Sequence, residues 1–459
     1  MTAIDRQRWP QWRDDQAFRR FHLVVALSLL IRLLALYLVR HAALASDAQD
    51  YVDVARQLLT RRPFIPYWPP GLPIYLAPFV AHAAGDVILR ASMLVFWILS
   101  CWGLRRLMTA LDLAPLAWLV LLPFALFPDA VQLSIEPLTQ LPVAALLLLA
   151  LSATLNASKR TSPSEYLLLG ASLGLMCLVR PSAVPLCVLL PLACLAAPAQ
   201  SPAVAVRKRT LALAAAVLAL TFVAGWVDFA HRMTGRWIVN TANAQNIYYG
   251  NNPWTPLYAT WYFGSHAKLG TPEIEKFPDY QRTIERVATM PELDRPAEFQ
   301  RLAIASIRQS PGRFLIRAAS RVRCFFAFDI FTAAALKSVR IARIKIFPAI
   351  LVLEALCFLL LLAPTVYWIA QASAAFWRDR PSLILLASVL VYAVPYWLTM
   401  SHPTYNFPVI LPLAVMGITA WQAFGRTRTN SCRGWAAVAI LTLIQIEWVW
   451  QMSHSAALR

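Results

Sequence analysis

Three aspartates, Asp47, Asp50 and Asp53, lie in the stretch that begins Ser46-Asp47-Ala48-Gln49-Asp50-Tyr51, just after the first long apolar run. The chain carries 23 acids in 459 residues, so three of them this close together beside an apolar run call for a reason. A carboxylate that stays ionised near neutral pH can take a proton from a hydroxyl, the task of a general base. Ser46 and Gln49, three residues apart, form a capping box that starts a helix. Tyr51, Val54, Ala55, Leu58 and Leu59 fall on one face of that helix, and Asp50, Asp53, Arg56 and Gln57 fall on the other. Asp47 lies in the first turn, where the helix dipole favours the ionised form. Two roles fit: Asp47 as a base, or Asp47 as a helix-capping partner with Asp53 paired to Arg56 on a wet face.

Other residues could serve the same chemistry. Glu136 precedes Pro137, which suits the first position of a helix; Glu136 is then either a dipole partner or a second active-site carboxylate. Arg180-Pro181 separates two apolar halves, 166–179 and 183–195. An arginine at that depth either meets an anion, such as a lipid phosphate, or snorkels to the interface. The run 246–253 contains Tyr248, Asn251 and Asn252. Asn, Gly and Pro build turns, and amides with flat aromatic rings also suit a sugar. The turn 402–406 holds a histidine with no acid at a metal-specific spacing. No HExxH run and no Gly-rich phosphate loop occurs. The sequence names no cofactor and leaves a divalent metal open.

These residues must be positioned by membrane helices. Hydrophobic residues make up 59% of the chain and charged ones 14%, with mean hydropathy +0.55. Soluble domains are about one quarter charged, and apolar runs of about twenty residues are the signature of transmembrane helices. The net charge of +19 would suit nucleic acid, but the bases flank the apolar runs, as the positive-inside rule requires. The seven cysteines lie mainly within apolar runs without a CxxC pair, which argues against a disulfide framework or zinc site. Arg6 to Arg20 precede an uninterrupted span, which reads as a signal anchor.

Eleven spans are predicted, near 21–40, 87–107, 114–128, 137–155, 165–179, 183–197, 208–227, 344–370, 382–399, 405–424 and 434–452. The basic loops put the N-terminus in the cytoplasm and residues 41–86 outside. That parity requires the short piece 72–84, with Pro73 and Pro78, to lie at the interface or re-enter rather than span. The piece 324–336 is expected to be a basic amphipathic surface helix. Four regions follow: a cytoplasmic segment 1–20, an N-terminal transmembrane catalytic module 21–227, a periplasmic loop region 228–343, and C-terminal transmembrane helices 344–459.

In order, Asp47…Tyr51, Pro69-Pro70-Gly71, Ser134-Ile135-Glu136-Pro137, Arg180-Pro181, Gly250-Asn251-Asn252-Pro253 and Tyr405…Pro408 resemble the bacterial GT-C membrane glycosyltransferases. These are related to the dolichyl-phosphate-mannose–protein mannosyltransferases and to the aminoarabinose transferase of lipid A. The resemblance runs over about 46–410 and implies an all-α polytopic bundle with outer-face surface helices. It implies a hexosyl- or pentosyltransferase with a polyprenyl-phosphate sugar donor, a lipid, glycan or protein acceptor, and an active site on the periplasmic face of the bacterial inner membrane. Asp47 matches the family's catalytic base and Glu136 its second acid. Two positions depart from the pattern: Ala48 stands where an acid is usual, and Trp68 where Arg or Lys is usual before the Pro-Pro pair. The cation for the donor phosphate is then sought among Arg180, Arg56, Arg61 and Arg62. A multispan lipid or glycolipid transporter or flippase is the alternative; it would place charges deep in several spans, whereas away from the span ends only Arg32, Glu354 and Glu447 are charged.

Overall fold

A computed structural model describes residues 11–44, 46–60, 62–195, 200–265, 267–341, 343–371, 376–424 and 431–453. In chain order the first helices are α1 (Gln11–Leu38), α2 (Ser46–Leu59), α3 (Gly71–Ala81), α4 (Asp86–Ser92), α5 (Leu94–Ala110), α6 (Ala117–Leu126), α7 (Pro128–Gln132), α8 (Gln140–Lys159), α9 (Pro163–Val179), α10 (Leu186–Leu195) and α11 (Pro202–Thr234). A loop region follows with α12 (Ala242–Asn251), α13 (Tyr262–Ser265), α14 (Pro278–Ala288), α15 (Arg295–Gln309), α16 (Pro311–Phe325) and α17 (Phe331–Ala335). It ends in a hairpin of β1 (Arg340–Ile341) and β2 (Ile344–Lys345), after which come α18 (Phe347–Ala370), α19 (Arg380–Leu398), α20 (Phe407–Phe424) and α21 (Cys432–Ser453). The protein is an all-α polytopic helical bundle.

Among the described residues, eight stretches are long and apolar enough to cross a membrane: those of α1, α4 with α5, α8, α11, α18, α19, α20 with the turn before it, and α21. The shorter apolar helices α6, α9 and α10 fall on the three remaining spans read from the sequence. The fourth short one, α3, is the proline-bearing piece 72–84; it is 11 residues long and packs on α2.

Contacts between helix ends show how the spans alternate. At one end, Lys159 Nζ donates to Ala110 O at 2.6 Å, Lys208 Nζ donates to Ser158 O at 3.0 Å, and Arg106 pairs with Glu165 at 2.6 Å. At the other end, Arg180 reaches Thr139 before α8 and Tyr396 near the end of α19. Helix α8 is central: 89% of its apolar window is buried, against α5, α9, α10 and α20. It carries no charge until Lys159, because every face meets another helix.

Two expectations change. Helix α2 buries Tyr51, Val54 and Ala55 as expected and adds Ala48 and Val52, packing on Leu72 and Leu76 of α3 and Leu89 of α4, but leaves Leu59 exposed. The piece 324–336 is not one surface helix. It holds the end of α16 and the short α17, and Cys324, Phe325, Phe328 and Ile330 enter the main core. The carbonyls of this turn are taken up by Asn406, which donates to Phe325 O at 2.6 Å and Ala327 O at 2.8 Å. Gln445 holds it from α21, donating to Phe326 O and accepting from Phe328 N. In the loop region, Tyr248, Phe263, Tyr280 and Phe299 close a separate small core.

Candidate active site

Helix α2 presents Asp47 in its first turn, exposed. The Ser46 side chain, and with it the capping box, lies outside the described residues. On the wet face Gln49 Nε2 donates to Asp53 at 2.9 Å and Arg56 pairs with Asp53 at 2.5 Å. Trp68, which stands where the resemblance leads one to look for a cation, lies near Asp50 with its ring 5.4 Å from that of Tyr51. Partial burial pushes the Asp50 carboxyl above the usual carboxylate range; Trp68 opposes the shift, and Asp47 and Asp53 add to it.

Helix α9 ends at Arg180, whose extended backbone turns the chain toward Pro181. Its Nε and Nη2 donate to Thr139 Oγ1 at 3.0 and 2.8 Å, and Nη1 donates to the Tyr396 hydroxyl at 3.0 Å. The guanidinium carbon lies 5.1 Å from the Tyr405 ring centre, within cation–π range. Ser182 joins the Tyr396 hydroxyl at 3.0 Å. No carboxylate forms an ion pair with Arg180 among the described residues. The positive end of the cluster is therefore held by neutral hydroxyls and rings, which leaves its charge uncompensated.

Asp47 lies one turn of α2 before Tyr51, close enough for its charge to reach this cluster. The charges of Arg180 and Asp47 both bear on the Tyr51 hydroxyl, which also meets Thr139. Both also bear on Tyr405. Burial pushes the Tyr51 phenol up, so it stays protonated and able to donate. Five segments thus converge: α2, the turn before α8, the α9–α10 corner, α19 and the α19–α20 corner. An acid near a cation in one such cluster can accept a proton while the cation holds an anion.

Glu136 lies beside this cluster but is engaged. It is buried and paired with Arg90 of α4. Arg90 Nη2 also donates to Ala42 O at 3.2 Å and Ala43 O at 2.8 Å, in the segment that leads into α2. Pro137 does not open the helix: α8 begins at Gln140, because Leu138 N turns back to Glu136 O and Thr139 becomes the capping residue. A second polar centre joins α7, α17 and the start of α18. Thr332 donates to Asp129 at 2.6 Å, and His402 stands 4.0 Å from Asp329. Burial and the charge of Asp329 push the Asp129 carboxyl well up.

The remaining sequence candidates lie apart. Arg56, paired with Asp53, lines a groove of about 730 Å³ between α2, α3 and α4 together with Leu59, Val80, Ala84 and Leu89. Arg61 falls outside the described residues, and Arg62 is exposed. Tyr248 is buried against Phe299, ring centres 5.5 Å apart. Asn251 is buried, donates to Ile247 O and Leu398 O at 3.1 Å and accepts from Arg321 at 2.9 Å. Asn252 turns its side chain back onto its own loop, accepting from Trp254 N at 3.0 Å. These amides close a turn, and that turn supports the site only indirectly: Thr241 N and Ala242 N donate to Pro66 O and Tyr67 O, on the strap between α2 and α3.

Sequence reasoning missed Thr139, Tyr396 and Arg90. Tyr396 sits inside an apolar run with no local signal, Arg90 is an arginine within the span 87–107 whose charge alone could have pointed to a partner, and Thr139 stood three residues from a singled-out glutamate. Among the described residues no three His, Cys, Asp or Glu side chains are placed to hold a metal ion.

No family model matches the chain, and no curated protein matches it. Two solved structures of an oligosaccharyltransferase from Archaeoglobus fulgidus are similar to it. One is archaeal AglB in complex with an inhibitory peptide and a dolichol-phosphate, at 14% identity over 96% of this chain with a TM-score of 0.45. The other is the enzyme in the apo form, at 15% identity over 96% of this chain with a TM-score of 0.45. The chain spans 56% of the length of each.

Proposed function

We propose that this chain is a GT-C-type membrane glycosyltransferase that moves a sugar from a polyprenyl phosphate to an acceptor hydroxyl. The observation that supports the reading is Arg180, held by Thr139, Tyr396 and the Tyr405 ring with no carboxylate paired to it among the described residues, with Asp47 on the neighbouring helix α2. Asp47 accepts the acceptor's proton as its oxygen attacks the anomeric carbon. The bond from that carbon to the phosphate oxygen breaks, and its electron pair leaves with the lipid phosphate. Arg180, with no carboxylate to neutralise it, stabilises that developing charge. Attack opposite the leaving group inverts the anomeric centre. Glu136 serves the site by holding Arg90 and the strand of chain before α2. The donor is a hexose or pentose on its lipid, the acceptor a lipid, a glycan or a protein, and the site faces the periplasm with the N-terminus cytoplasmic.

Two of the three charges deep in the spans have local partners, while the third, Glu354 of α18, is fully buried beside Asp129. Arg32 lies over the Trp97 ring at 3.3 Å and donates to Ser28 O and Ala125 O, and Glu447 pairs with Arg323 of α16. The test is purified protein incubated with radiolabelled polyprenyl-phosphate sugars, with release of lipid phosphate as the readout. Asp47→Asn is expected to abolish release while leaving the protein folded in the membrane; undiminished release by that variant would sink the assignment.

A further inference from the structure

Between residues 301 and 346 the chain carries ten Lys and Arg residues and one acid, Asp329. The whole chain has a net charge of +19, so one tenth of its length holds nearly half of the excess. Four of the ten bases have visible work. Arg317 donates to Thr255 O, Arg321 donates to Gly250 O and Asn251, Arg323 pairs with Glu447, and Arg301 pairs with Glu298. The other six, Arg308, Arg313, Lys337, Arg340, Arg343 and Lys345, have no acid within ion-pair distance among the described residues.

Three of those six are gathered on the β1–β2 hairpin. Its register sets Arg340 directly opposite Lys345, so the two side chains rise from the same face of the ribbon. Like charges directly opposite one another destabilise a strand pair, and a two-stranded ribbon is marginal on its own. Arg343 turns the chain with φ of 71°, which sets a third cation at the tip.

The hairpin's height is fixed by its neighbours. Ile346 N donates to Val339 O across the base of the hairpin. The next residue, Phe347, begins α18, whose apolar stretch has mean hydropathy 2.5, the highest of the eight spans. The cationic ribbon therefore stands one residue from the edge of the membrane's apolar layer. Val339 and Ile344 are exposed, Ile344 at 71%, which in water would be unfavourable and at a headgroup boundary is not.

We propose that this hairpin binds the headgroups of anionic phospholipids in the leaflet it borders. Phosphate groups from the bilayer separate and neutralise Arg340, Arg343 and Lys345, while Val339 and Ile344 enter the acyl boundary. Basic residues beside a span gain affinity for anionic lipid in this way, each by a similar increment. The inference rests on charge and position alone and holds whatever the catalytic chemistry.

The test reads the hairpin itself in the full chain. Cys432, the one exposed cysteine among the described residues, is replaced (Cys432→Ser), and Ile344→Cys is labelled with bimane in nanodiscs. Brominated phosphatidylglycerol should quench the label about threefold more than brominated phosphatidylcholine at equal mole fraction. Arg340→Gln with Lys345→Gln should erase that preference. The matched pair Lys276→Gln with Arg282→Gln, on exposed surface of the loop region, should leave it intact. Equal quenching by the two lipids, quenching by neither, or a preference that survives Arg340→Gln with Lys345→Gln would each overturn the proposal. Loss of binding to soluble polyphosphate with an unchanged lipid preference would assign the patch to a soluble polyanion and overturn it equally.

Discussion

Arg90 and Glu136, 46 residues apart in the sequence, form a buried ion pair, and the same guanidinium holds the carbonyls of Ala42 and Ala43. One arginine thus ties α4, the turn before α8 and the segment leading into α2 to a single point. Asp47 lies four residues beyond Ala43, so the pair sets where the acid can stand.

Breaking a buried pair by removing one partner costs about 3–5 kcal/mol. Arg90→Met and Glu136→Gln should therefore both lower the melting temperature and turnover together, Arg90→Met more, because it also frees the two carbonyls. Thermal unfolding in detergent with parallel assays checks this. A Glu136→Gln protein with unchanged melting and lost turnover would move Glu136 from anchor to substrate contact.

Arg180 offers a second test. Its fork donates to Thr139 and Tyr396 and stacks near Tyr405, and lysine reproduces the charge but neither the fork nor the stacking. Arg180→Lys should weaken donor turnover by about tenfold or more, and Tyr396→Phe by less, since it removes one partner and keeps the ring. If both variants match the wild type across donor concentrations, Arg180 does not hold the leaving phosphate.

A third prediction concerns the turn before α3. A Cβ on Gly71 would lie 2.6 Å from Val179 N and 2.7 Å from Leu178 C, both backbone atoms. Gly71→Ala must push α3 away from the end of α9, the residue before Arg180, at about 1–3 kcal/mol for overpacking. Its melting temperature should fall and its donor KM should rise. Trimming Val179→Ala removes the Val179 Cγ2 contact at 2.7 Å but leaves both backbone contacts, so it should rescue only in part; full rescue by that second change would locate the clash in the side chain instead.

Much of this arrangement was legible one-dimensionally. The spans announce themselves as apolar runs, and α3 as a run too short and too rich in proline to cross. Arg180 and Asp47 stood out because a charge beside apolar sequence needs a partner. The partners themselves were not legible. Arg90 and Tyr396 lie inside apolar helices, and only the packing of α4 and α19 against the rest turns them toward Glu136 and Arg180. Asp129 and Thr332 meet across 203 positions with no local sign. Asn251 and Asn252 show the converse: amides on a loop read equally well as sugar ligands or turn braces, and the choice depends on which way each side chain faces. The basic excess at 301–346 was visible in the letters and read as flanking an amphipathic surface helix, whereas its gathering on a hairpin beside α18 was not legible.

The loop region supplies a pH test. Glu298 at the start of α15 accepts from Arg301 at 2.7 Å and from Arg286 of α14 at 2.7 Å. The bonds from Arg301 first, then those from Arg286, hold its carboxyl near 2 against an ordinary 4.5, with burial opposing. A depressed folded value means that the clamp's contribution is present above about pH 4.5 and is lost as pH falls toward about 2. Hydrogen exchange of α14 and α15, corrected for intrinsic rates, should thus rise in the wild type as pH falls from about 5 to about 2.5. Glu298→Gln should already exchange faster near neutral pH and change little over that window. Matching acid responses in the two proteins would mean that another group, not Glu298, governs how α14 and α15 hold together.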